Sequence, residues 1–284
     1  MADGFLLIDK ENTWSSRDIC NKIQGLFHQK KVGHIGTLDP FATGLLIVSL
    51  GKATKAGQFL EASDKTYFAK LKLGESRDGG DLTGDTIEIK DVPTLKEDQI
   101  IEVLNSFVGE IDQVPPLKSA VHYKGMRLYE YAYNNQVITP PSRKVTINSI
   151  SFISYEDNVI TFRCNVGKGT YIRVLGEDIA KKLNTLGHLI ELRREKVSSL
   201  DVKDAYKMKD IDESKLISIS DALVNIQHIF ISDTLENKAK NGLSIYIKEE
   251  GTDDIILLVN KNNVAIAVYE RKEANLYKPV RGLF

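Results

Sequence analysis

The sequence predicts an α+β fold with a compact, mostly β module at its C-terminal end. Two neighbouring segments, residues 144–155 and 159–166, alternate apolar and polar side chains as paired strands do. Amphipathic helical segments, of which residues 171–183 are the clearest, are mixed with strands without a regular β-α-β rhythm, which favours α+β over a doubly wound fold. After about residue 225, short β-like runs separated by polar turns replace the helical spacing.

The first third of the chain begins with a strand and a helix. Residues 4–10 form a short apolar run that ends in polar residues, which is typical of a strand. Ser15 or Ser16 is the predicted cap of a helix whose apolar residues follow helical spacing. The next segments are predicted as a loop at 32–44, a buried strand or other buried element at 45–50, a strand at 67–73 and a Gly- and Asp-rich loop at 74–84.

The remaining elements lead into the C-terminal module. Residues 96–107 predict a helix with Ile100, Leu104 and Phe107 on one face, and residues 127–133 a short helix. The C-terminal β runs lie at 229–231, 244–247, 255–259 and 264–269. The change of pattern predicts two domains, residues 1–225 and 226–284.

Composition sets only wide bounds on function. The chain has 284 residues, 42% of them hydrophobic and 27% charged, which is enough apolar material for a core. The formal net charge of −1 gives no support for a nucleic-acid partner. Residues 163–196, however, carry eight Lys and Arg against four acidic residues. This segregation fits either a local basic face or a pair of solvated helical faces.

The two cysteines, Cys20 and Cys164, lie far apart in apolar-leaning stretches and form no Cys-x-x-Cys pair. They predict buried thiols in a reducing compartment, without a zinc site or a disulfide. The five histidines have no metal-ligand spacing. There is no signal-peptide pattern and no apolar run long enough to span a bilayer. We therefore expect a cytoplasmic protein without a membrane partner and without a metal.

The most unusual stretch surrounds Asp39, in Gly33-His34-Ile35-Gly36-Thr37-Leu38-Asp39-Pro40-Phe41-Ala42-Thr43-Gly44. Its glycines permit backbone conformations closed to other residues, and Pro40 stiffens the chain after Asp39. A carboxylate held on a rigid turn between apolar neighbours suits nucleophilic or acid–base chemistry. An Asp-Pro pair in a glycine-rich loop is, however, also typical of a plain turn.

The Asp39 segment resembles the signature of the bacterial tRNA pseudouridine synthase family that modifies uridine 55 in the T-loop (TruB type). Further blocks of the chain resemble those of the family in the same order. These blocks are Gly51-Lys52-Ala53-Thr54-Lys55, Lys65-Thr66-Tyr67, Leu73-Gly74, Asp81 with Gly84, Pro115-Pro116-Leu117-Lys118-Ser119-Ala120, Tyr129-Glu130, Gly169-Thr170-Tyr171-Ile172-Arg173 and Leu192-Arg193-Arg194. The resemblance covers essentially the whole chain and is weaker in the last sixty or so residues.

The resemblance implies both a fold and an activity. The implied fold is a pseudouridine synthase catalytic domain with a mixed, largely antiparallel sheet and flanking helices, followed by a PUA-like RNA-binding domain. The implied activity is an isomerase that flips a uridine of the tRNA T-loop into a pocket and converts it to pseudouridine. This reaction needs no redox change, so no cofactor is expected. The expected partner is the tRNA T-stem-loop, bound by a monomer that needs no protein partner.

The resemblance also implies roles for single residues. Asp39 is the predicted catalytic carboxylate, Arg173 its ion-pair partner, and Tyr67 a base-stacking residue whose hydroxyl takes part in moving the C5 proton. Each alternative is structural: a surface arginine for Arg173, a core aromatic for Tyr67, core residues for Tyr171 and Leu192, and a turn-stabilising hydrogen-bonding residue for His34. The predicted substrate-binding residues are His34, Gly36, Thr37, Lys10, Tyr171, Leu192, Lys52, Lys55, Arg193 and Arg194. The predicted phosphate contacts are Arg193, Arg194, Lys52 and Lys55 together with Lys168, and they predict strongly salt-dependent RNA binding.

Some positions depart from the family. The first motif, usually Lys-Pro-x-Gly-x-Thr-Ser, reads Lys10-Glu11-Asn12-Thr13-Trp14-Ser15-Ser16. The block before Asp81 reads Ser76-Arg77-Asp78-Gly79-Gly80, and Lys118 and His122 stand where the family has other residues around Ser119. These changes concern the grip on RNA more than the reaction.

Two other functions stay open at this point. One is a tRNA-binding or tRNA-folding protein in which catalysis is secondary. The other is the guide-RNA-dependent synthase of archaea and eukaryotes, which acts in a multi-protein particle. The stretch 93–109, which resembles an insertion of the stand-alone bacterial type, and the lack of a long basic tail argue against the second.

Overall fold

The computed structural model describes residues 2–119, 121–134, 136, 138–247 and 252–284. Ala120, the last residue of the Pro115 block, lies outside them. Among the described residues the helices are α1 (Ser16–Leu26), α2 (Gly57–Glu61), α3 (Glu97–Asn105), α4 (Leu128–Tyr133), α5 (Ile172–Lys182), α6 (Ile219–Ala222) and α7 (Asp233–Lys240). The strands are β1 (Gly4–Lys10), β2 (Val32–Ile35), β3 (Thr43–Leu50), β4 (Lys65–Leu73), β5 (Glu75–Arg77), β6 (Thr86–Ile89), β7 (Gly109–Gln113), β8 (His122–Tyr123), β9 (Met126–Arg127), β10 (Arg143–Glu156), β11 (Val159–Val166), β12 (Gly187–Val197), β13 (Leu200–Asp201), β14 (Gln227–Phe230), β15 (Ile245–Tyr246), β16 (Ile255–Val259), β17 (Ala265–Glu273) and β18 (Leu276–Gly282).

The chain divides into two compact units. The first comprises Met1–Pro40, Gly44–Ser63 and Lys196–Phe284, and the second comprises Phe41–Thr43 and Asp64–Glu195. No helix within the described ranges is both long and apolar enough to cross a membrane.

In the first unit, β1 and β2 both pair antiparallel with β3. The helix α1 begins where it was predicted to begin. The Ser15 hydroxyl accepts from the Asp18 N–H at 3.1 Å, and the Asp18 carboxylate accepts from the Ser15 N–H at 2.9 Å. This reciprocal capping box satisfies two backbone donors at the helix start.

The C-terminal strands of the first unit form a separate five-stranded sheet in the order β14-β16-β17-β18-β15. The pair β14 and β16 is parallel, and the other neighbours are antiparallel. One apolar cluster contains Phe5 of β1, Ala222 of α6, and Leu257, Val268 and Leu283 from the C-terminal part. Strands from the two ends of the sequence therefore share one core. The predicted boundary between residues 225 and 226 stays a prediction.

The second unit is built on strands in the order β12-β4-β11-β10-β7. The predicted pairing of residues 144–155 with 159–166 is confirmed by β10 and β11. Asp157 and Asn158 connect these strands with φ of 50° and 60°. Two consecutive left-handed residues are the requirement of a tight hairpin turn whose twist matches the strands. Helix α3 packs against β10 and α5.

Several parts of the fold differ from the prediction. The predicted loop at 32–44 contains β2, and the predicted loop at 74–84 contains β5, because glycine-rich segments can still supply backbone groups to a neighbouring strand. The long strand β12 was not predicted. Its side chains include Glu191, Arg193, Arg194 and Glu195, which hide the usual apolar alternation of a strand.

Candidate active site

Asp39 lies in the loop between β2 and β3, and the peptide before it is fixed by one serine. The Ser16 hydroxyl donates to the Leu38 carbonyl oxygen at 3.0 Å and accepts from the Leu38 N–H at 2.9 Å. Ser16 and Leu38 are both buried. Because one hydroxyl satisfies both backbone groups of Leu38, the chain enters Asp39 in a single defined position.

The peptide after Asp39 is fixed as well. The Pro40 carbonyl oxygen accepts from the Thr13 N–H at 2.9 Å and from the Lys10 ammonium at 3.2 Å. The same ammonium donates to the carbonyl oxygens of Glu11 at 3.0 Å and Trp14 at 2.7 Å. Lys10 is fully buried, so these three carbonyls compensate for part of the loss of water around its charge.

Asp39 itself is half-buried between these two anchors. Gly36 and Gly44 have φ of 66° and 98°, as the glycine-rich pattern predicted for such a loop. Gly33 does not need this freedom, because it lies in the extended strand β2. A carboxylate on a backbone held at both neighbouring residues is preorganised, which is what a catalytic group requires.

Thr13 explains how the altered first motif keeps its shape. It stands where the family has glycine, and its φ is 72°. A β-branched residue rarely adopts this left-handed conformation, which costs about 1–2 kcal/mol for a residue with a Cβ. The hydrogen bond from the Thr13 N–H to Pro40 is thus retained at the expense of backbone strain.

We expect the Thr13→Gly variant to be more stable than the wild type by about 0.5–1 kcal/mol, because strain relief exceeds the larger chain entropy that glycine loses. Urea unfolding of both proteins measures this difference. Thr13→Ala keeps the Cβ and serves as the control, for which no comparable gain is expected. A Thr13→Gly protein less stable than wild type would show that Thr13 is not strained.

Two other predicted residues of the first unit lie in a polar chain beside Asp39. The His34 Nε2 atom lies 3.2 Å from the Thr37 hydroxyl oxygen, and His34 Nδ1 lies 3.6 Å from the Cys20 sulfur. Thr37 is exposed and Cys20 is fully buried. The contact with Cys20 was not predicted, because an apolar-facing cysteine at helical spacing reads as core.

The second unit places Arg173 in the first turn of α5, only 5% exposed. Its Nη1 donates to the Gly79 carbonyl at 2.6 Å, and its Nη2 donates to the Lys118 carbonyl at 3.1 Å. Nη1 also lies 3.7 Å from a carboxylate oxygen of Asp81. Arg173 is therefore a buried guanidinium, and not the surface arginine that was its alternative.

Asp81 is a site residue that the sequence reasoning did not select. It is buried, and its other carboxylate oxygen accepts from the Thr83 N–H at 2.9 Å. Gly84 permits this tight turn, because a Cβ there would lie 1.8 Å from the Asp78 carbonyl oxygen. A sequence pattern could have identified Asp81, because the Gly- and Asp-rich loop places a carboxylate among glycines as the Asp39 loop does.

Glu177 lies one turn along α5 from Arg173. Burial raises the pKa of its carboxyl, with a smaller contribution from the charge of Asp178. Lys181 and Arg173 oppose this shift. A Cβ on Gly80 would lie 2.8 Å from a Glu177 carboxylate oxygen, so the carboxyl lies directly against the Gly79-Gly80 turn. The charge of Arg173 is therefore felt by two carboxyl groups, those of Asp81 and Glu177.

Tyr67, Tyr171 and Leu192 are the remaining predicted pocket residues of the second unit. Tyr67 is 8% exposed on β4, opposite Cys164 of β11. Leu192 is buried on β12. Tyr171 precedes α5, and its backbone N–H and carbonyl both bond to the Gln113 amide, at 2.8 and 3.1 Å. Gln113 fixes the Tyr171 backbone in the same way as Ser16 fixes the Leu38 backbone. No sequence motif had indicated Gln113 as a site residue.

The predicted phosphate-contact residues differ in their surroundings. The Lys52 ammonium lies 3.6 Å from the Asp3 carboxylate, and the Lys55 ammonium donates to the main-chain oxygen of Phe284 at 2.7 Å. Arg193 is half-buried, but Arg194 is only 1% exposed. A direct phosphate contact by Arg194 would need a rearrangement, because water itself barely reaches this side chain.

The structure brings Lys10, Ser16 and Thr13 together around Asp39 within the first unit, and Asp81 and Glu177 around Arg173 within the second. Tyr67 belongs to the second unit. The ion pair between Asp39 and Arg173, and the stacking role of Tyr67, stay predictions.

Comparison with known proteins connects these residues to a family. Residues 24–172 match the family described as TruB family pseudouridylate synthase (N terminal domain). The chain is 34% identical to a tRNA pseudouridine synthase B of Mesoplasma florum over 98% of this chain and 97% of that protein. It is 36% identical to a tRNA pseudouridine synthase B of Staphylococcus saprophyticus over 95% of each.

Solved structures confirm the fold. A chain in the crystal structure of a Cbf5–Nop10–Gar1 complex matches with a TM-score of 0.75 at 23% identity. The match covers 99% of the present chain and 85% of the other. The α+β prediction, with its β-rich, PUA-like C-terminal part, is therefore confirmed.

Proposed function

The chain belongs to the TruB family of pseudouridylate synthases, and on this premise we propose that it isomerises uridine 55 in the T-loop of tRNA to pseudouridine with Asp39 as its catalytic carboxylate. The observation that carries the proposal is the Asp39 loop. Its backbone is held by Ser16 before the aspartate and by Lys10 and Thr13 after it.

The reaction explains why a fixed carboxylate is useful. The bond between C1′ and N1 of uridine breaks, the base turns, and C1′ bonds to C5, whose proton is then lost. The base must first leave its stack and enter a protein pocket. Asp39 acts either on the sugar or on the base once the uridine is in place, and its preorganised position supplies the orientation that the step requires.

Two residues complete the proposed site. Arg173 pairs with Asp39, since a nearby cation keeps a partly buried carboxylate ionised. Tyr67 stacks on the flipped uridine, and its hydroxyl takes part in moving the C5 proton. Burial of the Arg173 guanidinium and of the Tyr67 ring supports these roles, because a water-poor site strengthens electrostatic contacts.

The other predicted substrate-binding residues keep their roles in this proposal. His34, Gly36, Thr37, Tyr171 and Leu192 line the place of the target nucleotide. Lys52, Lys55 and Arg193 contact phosphates, exchanging partners such as Asp3 for the RNA. Lys10 supports the Asp39 loop from the interior. Because Cys20 and Cys164 are free thiols, we place the reaction in the cytoplasm.

We further propose that the protein acts alone and as a monomer on tRNA. The purified protein is expected to form pseudouridine in a bare T-stem-loop transcript with no other component, as measured by tritium release from C5-labelled uridine. A transcript with cytidine in place of the target uridine is the control. Product that forms only after a cell extract is added would contradict independent action, and no product in either case would refute the proposed substrate.

A further inference from the structure

Three polar side chains of the first unit form a chain that leads from the interior to the surface beside Asp39. Cys20 of α1 is fully buried, His34 of β2 is half-buried, and Thr37 is exposed. The Cys20 sulfur lies 3.6 Å from His34 Nδ1, and His34 Nε2 lies 3.2 Å from the Thr37 hydroxyl oxygen. The two ring nitrogens therefore have different partners.

The chemistry of Cys20 and His34 bears on which group donates the hydrogen in each of these contacts. Burial raises the pKa of the Cys20 thiol to about 11, and the charge of Arg17 offsets only part of the shift, so the sulfur keeps its proton at neutral pH. A neutral imidazole has one N–H and one acceptor nitrogen, and a nitrogen is a better acceptor than a sulfur. Of the two arrangements that these distances allow, the one in which the thiol donates to Nδ1 and the ring N–H lies on Nε2 uses a nitrogen, and not the sulfur, as the acceptor.

The tautomer of His34 determines how the hydroxyl of the exposed Thr37 is oriented. With its proton on Nε2, His34 donates to the Thr37 hydroxyl oxygen. The hydroxyl hydrogen of Thr37 then points away from the ring and is available to an acceptor outside the protein. Thr37 precedes Asp39 by two residues, so this acceptor lies next to the nucleotide on which Asp39 acts.

We propose that Cys20 is a positioning residue for RNA binding, which fixes the tautomer and the ring orientation of His34 so that the Thr37 hydroxyl donates to a phosphate oxygen beside the target nucleotide. Hydroxyl side chains are regular phosphate donors, and a donor with a fixed direction loses less entropy on binding. This inference rests on the proposed function and deepens it.

The first test concerns the free protein and does not depend on its activity. Long-range ¹H–¹⁵N NMR spectra report which imidazole nitrogen carries the proton, and a His34→Gln variant assigns the His34 signals. We expect the Nε2–H form in the wild type and in Cys20→Ser, which keeps a donor. Cys20→Val replaces the thiol by an apolar side chain about one methyl group larger and has no donor, so a mixture of tautomers is expected. An Nδ1–H form in the wild type would overturn the proposal.

The second test measures Kd and KM for the T-stem-loop transcript. Cys20→Val and Thr37→Val are each expected to weaken binding about fivefold, the factor for one net hydrogen bond, with KM changing more than kcat. The double variant is expected to lose about fivefold and not about 25-fold, because both substitutions interrupt one chain. Ile23→Val, which trims a buried apolar residue on the same helix, is the matched control and should bind as the wild type does.

The outcomes separate this inference from the proposed function. Wild-type affinity in Cys20→Val, or fully multiplicative losses in the double variant, would refute the role of Cys20 even if the enzyme is active. If the wild type makes no pseudouridine in tRNA, the proposed function fails. The NMR measurement of the His34 tautomer then still shows whether Cys20 orients the His34 ring.

Discussion

The Asp39→Asn protein is expected to fold and bind tRNA as the wild type does, but to form pseudouridine at least about 10³-fold more slowly. Asparagine has the same shape as aspartate, so the hydrogen bonds of Ser16 to Leu38 and of Lys10 to Pro40 should persist. What is lost is the negative charge and the ability to act as a nucleophile or base. Single-turnover assays with excess enzyme measure this loss without interference from product release.

Two comparisons make this result decisive. Asp85→Asn replaces another aspartate of a glycine-rich segment, one that has no place in the proposed site, and should retain activity. Refolding of misfolded tRNA by Asp39→Asn tests the alternative of a tRNA-folding protein. Product at the wild-type rate from Asp39→Asn would remove Asp39 from the mechanism.

The Arg173→Met protein is expected to be less stable than the wild type by about 3–5 kcal/mol, the cost of leaving a buried charge without its partner. The substitution removes the cation beside the buried Asp81 carboxylate and takes the Arg173 donors away from the carbonyl oxygens of Gly79 and Lys118. Activity is expected to fall at least about 100-fold even at temperatures where the variant is folded, because the site loses its geometry.

Urea unfolding and activity assays on matched variants check this expectation. Lys181→Met removes an exposed cation from the same helix and should change stability by less than about 0.5 kcal/mol. Arg173→Lys keeps the charge but not the planar fork that reaches two carbonyl groups, so most of the loss should remain. If Arg173→Met is as stable as Lys181→Met, the Arg173 network does not hold the second unit together.

Local rules predicted much of this structure from the sequence. The helix cap, predicted at Ser15 or Ser16 and found at Ser15, the helix after it and the hairpin of β10 and β11 each follow from contacts between residues that are near in sequence. Periodicity and capping report such contacts directly. The strand β12 was missed, since its charged residues are ordered by strand neighbours that no local pattern reveals.

The candidate site divides in the same way. Resemblance predicted Asp39, Tyr67 and Arg173 as site residues, whereas the residues that fix the neighbouring backbone are distant in sequence. Ser16 bonds to Leu38 across 22 positions, and Gln113 bonds to Tyr171 across 58. A lysine at the end of a strand is normally predicted to lie on the surface. The structure shows instead that Lys10 is buried and that its ammonium donates to backbone carbonyls. Such supporting contacts depend on tertiary structure alone.

The core shared by the two ends of the chain sets an order of events during synthesis. The second unit is almost one continuous segment, Asp64–Glu195, and all of it leaves the ribosome before most of the C-terminal part of the first unit is made. Phe5 of β1 emerges well before Leu257, Val268 and Leu283, which belong to the same apolar cluster. Part of the apolar surface around β1 therefore stays uncovered until these later residues have been synthesised.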